Sequence, residues 1–204
     1  SVPNNPVVIT PDTASGIPWR GAMVYINDFE GKITKINLTN SIQYGAEYFS
    51  QTTLARLDAN KVNQRYSYFS MDAGIGQTDG ELWLFGGTGD FANLGLVTTG
   101  MDNILYGVKD EDYPYFRHLQ DVQIPLPYTA DGARDADFLK YAHLGANQAT
   151  SIDDTVLCLS KSGAGSTIAC PNATQKAWRI NLDIAGDRQY RKISGAPKLF
   201  KGVV

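Results

Sequence analysis

Met23-Val-Tyr-Ile-Asn27, Asp28-Phe-Glu-Gly31 and Lys32-Ile-Thr-Lys-Ile-Asn-Leu38 follow one another without a break. The first run is apolar at nearly every position, as in a strand covered on both faces. The Asp/Gly segment supplies a tight turn. The last run alternates, with Thr34, Ile36 and Leu38 on one face and Lys35 and Asn37 on the other. Together they predict a β-hairpin.

Looser copies of this phrase recur along the chain. Leu82-Trp-Leu-Phe85 precedes Gly86-Gly-Thr-Gly89, Asn103-Ile-Leu-Tyr106 precedes Gly107-Val-Lys-Asp110, and Ala177-Trp-Arg-Ile-Asn-Leu182 precedes Asp183-Ile-Ala-Gly186. Hairpins repeated at intervals of some tens of residues predict an all-β array. The expected form is a partial β-propeller built of antiparallel four-stranded blades, or a related all-β array. At roughly 40–50 residues per blade the chain supplies about four blades with insertions, few for a closed ring.

Val7-Val-Ile-Thr10 is expected to form a further strand. Thr53-Leu-Ala-Arg-Leu57 suits a strand or a short helix, and Arg65-Tyr-Ser-Tyr-Phe-Ser-Met71 has β-favouring composition. Asp72 to Gly76 and Gln77-Thr-Asp-Gly80 are rich in turn residues, the second ending in a hairpin signal. Strands are also expected at Thr155–Leu159, Tyr190–Ile193 and Leu199–Val204. Residues 111–150 break the rhythm. Asp110-Glu-Asp-Tyr-Pro114 and Pro125-Leu-Pro127 oppose central strands, so 111–150 is read as an inter-blade insertion within one domain spanning 1–204. Phe138, Tyr141 and Ala142 recur at helical spacing behind Asp135, an N-cap residue, and predict one short helix there.

The composition narrows the function. Of 204 residues, 43% are hydrophobic and 19% charged, an ordinary globular balance rather than a disordered one. The net charge of −3 and scattered basic residues exclude a polybasic nucleic-acid or membrane surface. No run of about eighteen apolar residues spans a bilayer. Ser1-Val-Pro-Asn-Asn-Pro6 lacks the pattern of a signal peptide, and Leu199-Phe-Lys-Gly-Val-Val204 runs apolar to the last residue. Both ends read as cuts through a longer polypeptide.

Cys158 and Cys170 flank a Ser/Gly-rich loop. The spacing suits a disulfide closing a surface hairpin, worth roughly 3 kcal/mol by the loop-entropy model, in an oxidising compartment. Two separately buried thiols are the alternative.

Candidate chemistry is sparse. Asp131, Asp135 and Asp137 crowd one loop, but their spacing is not that of a calcium-binding loop and Arg134 offsets their charge. Solvated surface acids are the expected reading, as for Asp110, Glu111 and Asp112. Gly86-Gly-Thr-Gly89 lacks phosphate-loop spacing and is read as a tight inter-strand turn. His118 and His143 have no nucleophile elbow to serve. Tyr113, Tyr115 and Phe116 are a candidate contact patch. Asn37 and Asn172 each begin an N-x-T sequon, read as a coincidence in a bacterial protein.

In their order these phrases resemble the C-terminal domain of the PilY/PilC family, the type IV pilus tip-associated adhesins and biogenesis factors of Gram-negative bacteria. Residues 23–38 are similar to the family's blade motif. Arg65–Gly76 with Leu82–Phe91 is similar to its aromatic strand and F/Y-GTG segment, and Asn103–Asp110 to its "LYGIxD" strand. Ala177–Leu182 and Ile193–Val204 resemble its closing motif. The likeness spans nearly the whole chain outside 111–150.

The resemblance implies a modified propeller at the pilus tip with no catalytic residues. Its role is to support pilus assembly against retraction and attachment to host cells or surfaces. The implied partners are minor pilins and a host receptor or surface. The implied location is the cell surface, beyond an oxidising compartment. Many members carry a calcium loop before the blade motif. Here residues 11–21 hold Asp12 as their sole carboxylate, so no calcium site, metal or cofactor is carried over.

Two other classes compete. A quinone-cofactor (PQQ-type) dehydrogenase propeller would require a full ring, a calcium-bound cofactor and an acidic base, and this chain has no vicinal cysteine pair. A generic extracellular ligand-binding propeller is the third reading.

Overall fold

The computed structural model describes residues 2–10, 21–38, 51–57, 59–75, 80–113, 122–123, 138–141, 177–183 and 190–199. Among them there is no helix. Ten strands occur: β1 (Val7–Ile9), β2 (Met23–Asn27), β3 (Lys32–Asn37), β4 (Gln51–Arg56), β5 (Asp72–Ile75), β6 (Leu82–Gly87), β7 (Ile104–Asp110), β8 (Val122–Gln123), β9 (Phe138–Tyr141) and β10 (Ala177–Asn181).

They form two five-stranded sheets, ordered β1-β2-β3-β4-β8 and β5-β6-β7-β10-β9. In each sheet four strands pair antiparallel in chain order, and a short fifth strand joins the edge in parallel. β7 and β10 are neighbours, so the chain between them leaves and re-enters the same sheet.

The β2–β3 hairpin forms where the Asp/Gly turn predicts it. Asp28 carbonyl accepts from the Gly31 amide at 3.0 Å, and its carboxylate accepts from the Lys32 amide at 2.9 Å. Gly31 has φ +75°, and an added Cβ would stand 2.6 Å from the Leu57 Cβ, so both backbone and packing call for glycine.

The sheets pack face to face. One contributes Met23, Tyr25, Ile33, Leu54, Ala55 and Leu57; the other contributes Leu82, Leu84, Ile104, Tyr106, Val108 and Ala177. A side chain such as Leu or Ile in this layer stabilises by about 1.5–3 kcal/mol. A register shift between Ile33 and Thr34 turns the consecutive Leu54 and Ala55 both into the core. The opposite face of the second sheet buries Trp83 and Phe85. There Ile193 covers Gly87 and Leu199 covers Gly74 so closely that a Cβ on either glycine would overlap them.

Several expectations are corrected. Asp72–Ile75 is a strand, not a turn, because it pairs with β6 from Asp72↔Phe85 to Ile75↔Leu82. Residues 65–71 form no strand. Their backbone bonds instead reach neighbouring loops, Ser67 amide to Phe29 carbonyl and Gly89 amide to Tyr66 carbonyl. Phe138–Tyr141 is strand rather than helix, since β10 offers it an edge. Gly86 and Gly87 lie inside β6, where Tyr106 and Ile193 press onto them, and not at a turn. Tyr190–Ile193 runs irregularly across the second sheet's end. The Thr155–Leu159 strand and the Cys158/Cys170 pair lie outside the described residues.

The alternation of β3 is present, but the face turned toward the partner sheet is the one bearing Lys35 and Asn37 beside Ile33. Thr34, Ile36 and Leu38 are half-buried behind it.

Candidate functional site

Two features stand out: a polar centre enclosed between the sheets and an apolar loop surface at one end of them.

Asp110 ends β7 and points into the inter-sheet layer. It is 1% exposed, and Lys35 from β3 is 2% exposed. The Lys35 ammonium lies 2.8 Å from Asp110 Oδ2 and 3.9 Å from Asp112 Oδ2. The Tyr25 hydroxyl donates to Asp110 Oδ2 at 2.7 Å, and the Asp112 amide donates to Asp110 Oδ1 at 3.1 Å. Burial, then the Asp110 charge, pushes the Tyr25 phenol well above its ordinary range, so it remains a donor. Asp110 and Asp112 are therefore not the solvated acids that their place beside an insertion suggests. Asp110 is buried because β7 runs two residues past Val108, and Asp112 is buried in the turn that follows. Glu111, between them, is exposed and pairs with Lys109 at 3.6 Å.

The loop end is built on the β2–β3 turn. Phe29 stacks on Tyr66 (centroids 4.4 Å, 17°) and meets Tyr68 edge-on at 5.1 Å. Phe91 packs edge-on against Phe69 at 5.3 Å. Asp90 accepts from the Tyr68 hydroxyl at 2.9 Å and from both nitrogens of Asn93, which folds the loop after β6 back on itself. Burial and this hydrogen bond raise the Tyr68 phenol.

Loop 60–65 is a self-bonded turn. Asn60 Oδ1 accepts from the Val62 and Asn63 amides, while Gln64 takes φ 60°. Arg65 ties it to the loop before β7 through the carbonyl and carboxylate of Asp102. Thr88 and Asn103 close the base of the same loop, the Ile104 amide donating to Thr88 Oγ1 at 2.9 Å. Lys192 then donates to the carbonyls of Asn93, Leu94 and Leu96 at 2.7, 2.9 and 2.8 Å.

This scaffold holds apolar side chains out to solvent. Phe91, Leu94, Leu96 and Val97 follow one another on the loop, with Val62 beside it through the Thr98 hydroxyl bond to its carbonyl. Between 43% and 63% of each is exposed. A loop fixed by so many hydrogen bonds presents a preformed contact surface. Sequence reading missed it, although Phe91-Ala-Asn-Leu-Gly-Leu-Val97 is an apolar-rich stretch with no strand pattern, which was the available signal.

Of the residues singled out from sequence, Tyr113 is half-buried and packs against the core. Tyr115, Phe116, His118, His143, Asp12, Asp131, Asp135, Asp137, Cys158, Cys170 and Asn172 lie outside the described residues. Asn37 is fully buried, so its sequon is closed to modification in the folded chain. Among the described residues no group of three His, Cys, Asp or Glu is placed to hold a metal ion, and no helix is long and apolar enough to cross a membrane.

Comparison with family models, curated proteins and solved structures finds no match to the chain.

Proposed function

We propose that this chain is a non-enzymatic binding module from the tip of a type IV pilus, part of a PilY/PilC-like propeller. In that role it supports pilus assembly against retraction and attachment to cells or surfaces. The observation that carries the reading is the pairing of ordered hairpin motifs with two successive four-stranded antiparallel meanders packed face to face. That is the arrangement adjacent propeller blades adopt. Loops at one end of the sheets then carry contacts, as loops on rigid β scaffolds commonly do. Phe91, Leu94, Leu96 and Val97 are the residues in that position.

The test is removal of the coding segment from its own gene in the source bacterium. Surface pili and attachment are expected to fall, and pili are expected to return when the retraction motor is also removed. Unchanged piliation and attachment would sink the proposal.

A further inference from the structure

We propose that Lys35 and Asp110 form an intramolecular amide bond that covalently joins the two sheets. The inference stands apart from the functional reading above and uses only the enclosed polar centre.

A primary amine and a carboxyl condense when they are held in contact, shielded from water, and served by a group that moves protons. All three conditions meet here. Lys35 Nζ is 2.8 Å from Asp110 Oδ2, and Lys35, Asp110, Tyr25 and Asp112 are each buried. Asp112 Oδ2 stands 3.9 Å from the same nitrogen. Asp110 Oδ1 receives the Asp112 amide, and Oδ2 receives the Tyr25 hydroxyl.

The reaction balances without any co-reactant. Asp112 takes a proton from the Lys35 ammonium, and the freed amine attacks Cγ of Asp110. Oδ1 remains as the amide oxygen, held by the Asp112 N–H. Oδ2 departs as water, carrying two of the three ammonium protons that Asp112 relays and the Tyr25 phenol steers. Asp112 ends as the carboxylate it began as.

Other cation–carboxylate pairs in the described residues lack one or more of these conditions. Lys109 faces Glu111 at 3.6 Å, but Glu111 is exposed to water. Arg65–Asp102 and Arg191–Asp183 use guanidinium groups, whose delocalised nitrogens are poor nucleophiles.

The intact mass of the purified, thiol-reduced chain, followed by tryptic mapping, tests this. The expected result is a mass lower than the sequence mass by one water. Trypsin should release residues 33–56 joined to residues 110–117, with cleavage after Lys35 blocked. Lys35→Arg, which keeps a cation for Asp110, should restore the full mass, and Asp112→Asn should leave a larger uncondensed fraction. An Asp-Gly imide at Asp79 or Asp131 also removes one water, so a loss that persists in Lys35→Arg overturns the proposal. A wild-type chain at the full sequence mass overturns it as well.

Discussion

Tyr25 of the first sheet donates its hydroxyl to Asp110 of the second at 2.7 Å, where the Lys35 ammonium also arrives at 2.8 Å. A carboxylate this deeply enclosed is tolerated only because both partners are in place. The inter-sheet layer is therefore specified by polar groups as well as by apolar area.

Replacing Lys35 by Met removes both the cation and the bond proposed to Asp110, and leaves a buried carboxylate uncompensated. Urea denaturation should show a loss of at least about 3–5 kcal/mol, the range for breaking a buried pair. Tyr25→Phe, made in the Lys35→Arg chain where Asp110 keeps its charge, deletes one hydrogen bond to a charged group and should lose about 1.5–3 kcal/mol.

Alkaline pH should weaken the fold. Burial raises both the Tyr25 and the Tyr106 phenols above the ordinary value, so the unfolded chain releases these protons first. Their stabilising contribution is complete below about pH 10 and declines as pH rises toward the folded values, by up to about 1.4 kcal/mol per pH unit for each group. Tyr25→Phe should flatten part of that decline in denaturation curves taken between pH 9 and about 11.

Gly31 and Gly80 both have positive φ, +75° and +70°, but different surroundings. Nothing lies within 4 Å of an added Cβ at Gly80, whereas Leu57 crowds Gly31. Gly80→Ala should therefore lose about 1–2 kcal/mol from backbone conformation alone. Gly31→Ala should lose more than that when both are read by thermal melts, and Gly31→Ala with Leu57→Ala should show a non-additive total.

Lys192 closes the loop after β6 through three carbonyls. Lys192→Ala should speed chymotrypsin cleavage at Phe91, Leu94 or Leu96 while leaving the global unfolding midpoint nearly unchanged. Unaltered cleavage would mean that the Asp90–Asn93 bonds hold the loop without it.

The all-β class and the β2–β3 hairpin were readable because apolar runs and the Asp28–Gly31 turn carry local signals. Other features depend on partners distant in sequence. Asp72–Ile75 has weak strand composition and becomes β5 only because β6 pairs with it. Phe138–Tyr141 follows the edge of β10 in place of its helical spacing. Asp110 and Asp112 sit in a run of acids that composition assigns to solvent, and their burial depends on Lys35, far earlier in the chain. The apolar loop at 91–97 was passed over because exposure, unlike periodicity, is not written locally.

The most direct test of the packed sheets is a double-mutant cycle between Tyr25→Phe and Asp110→Ala, made in the uncondensed Lys35→Arg chain and read by urea denaturation. Direct contact across the inter-sheet layer predicts a coupling energy of about 0.5–3 kcal/mol. Strictly additive losses would contradict it, because side chains on sheets that do not face each other have nothing to share.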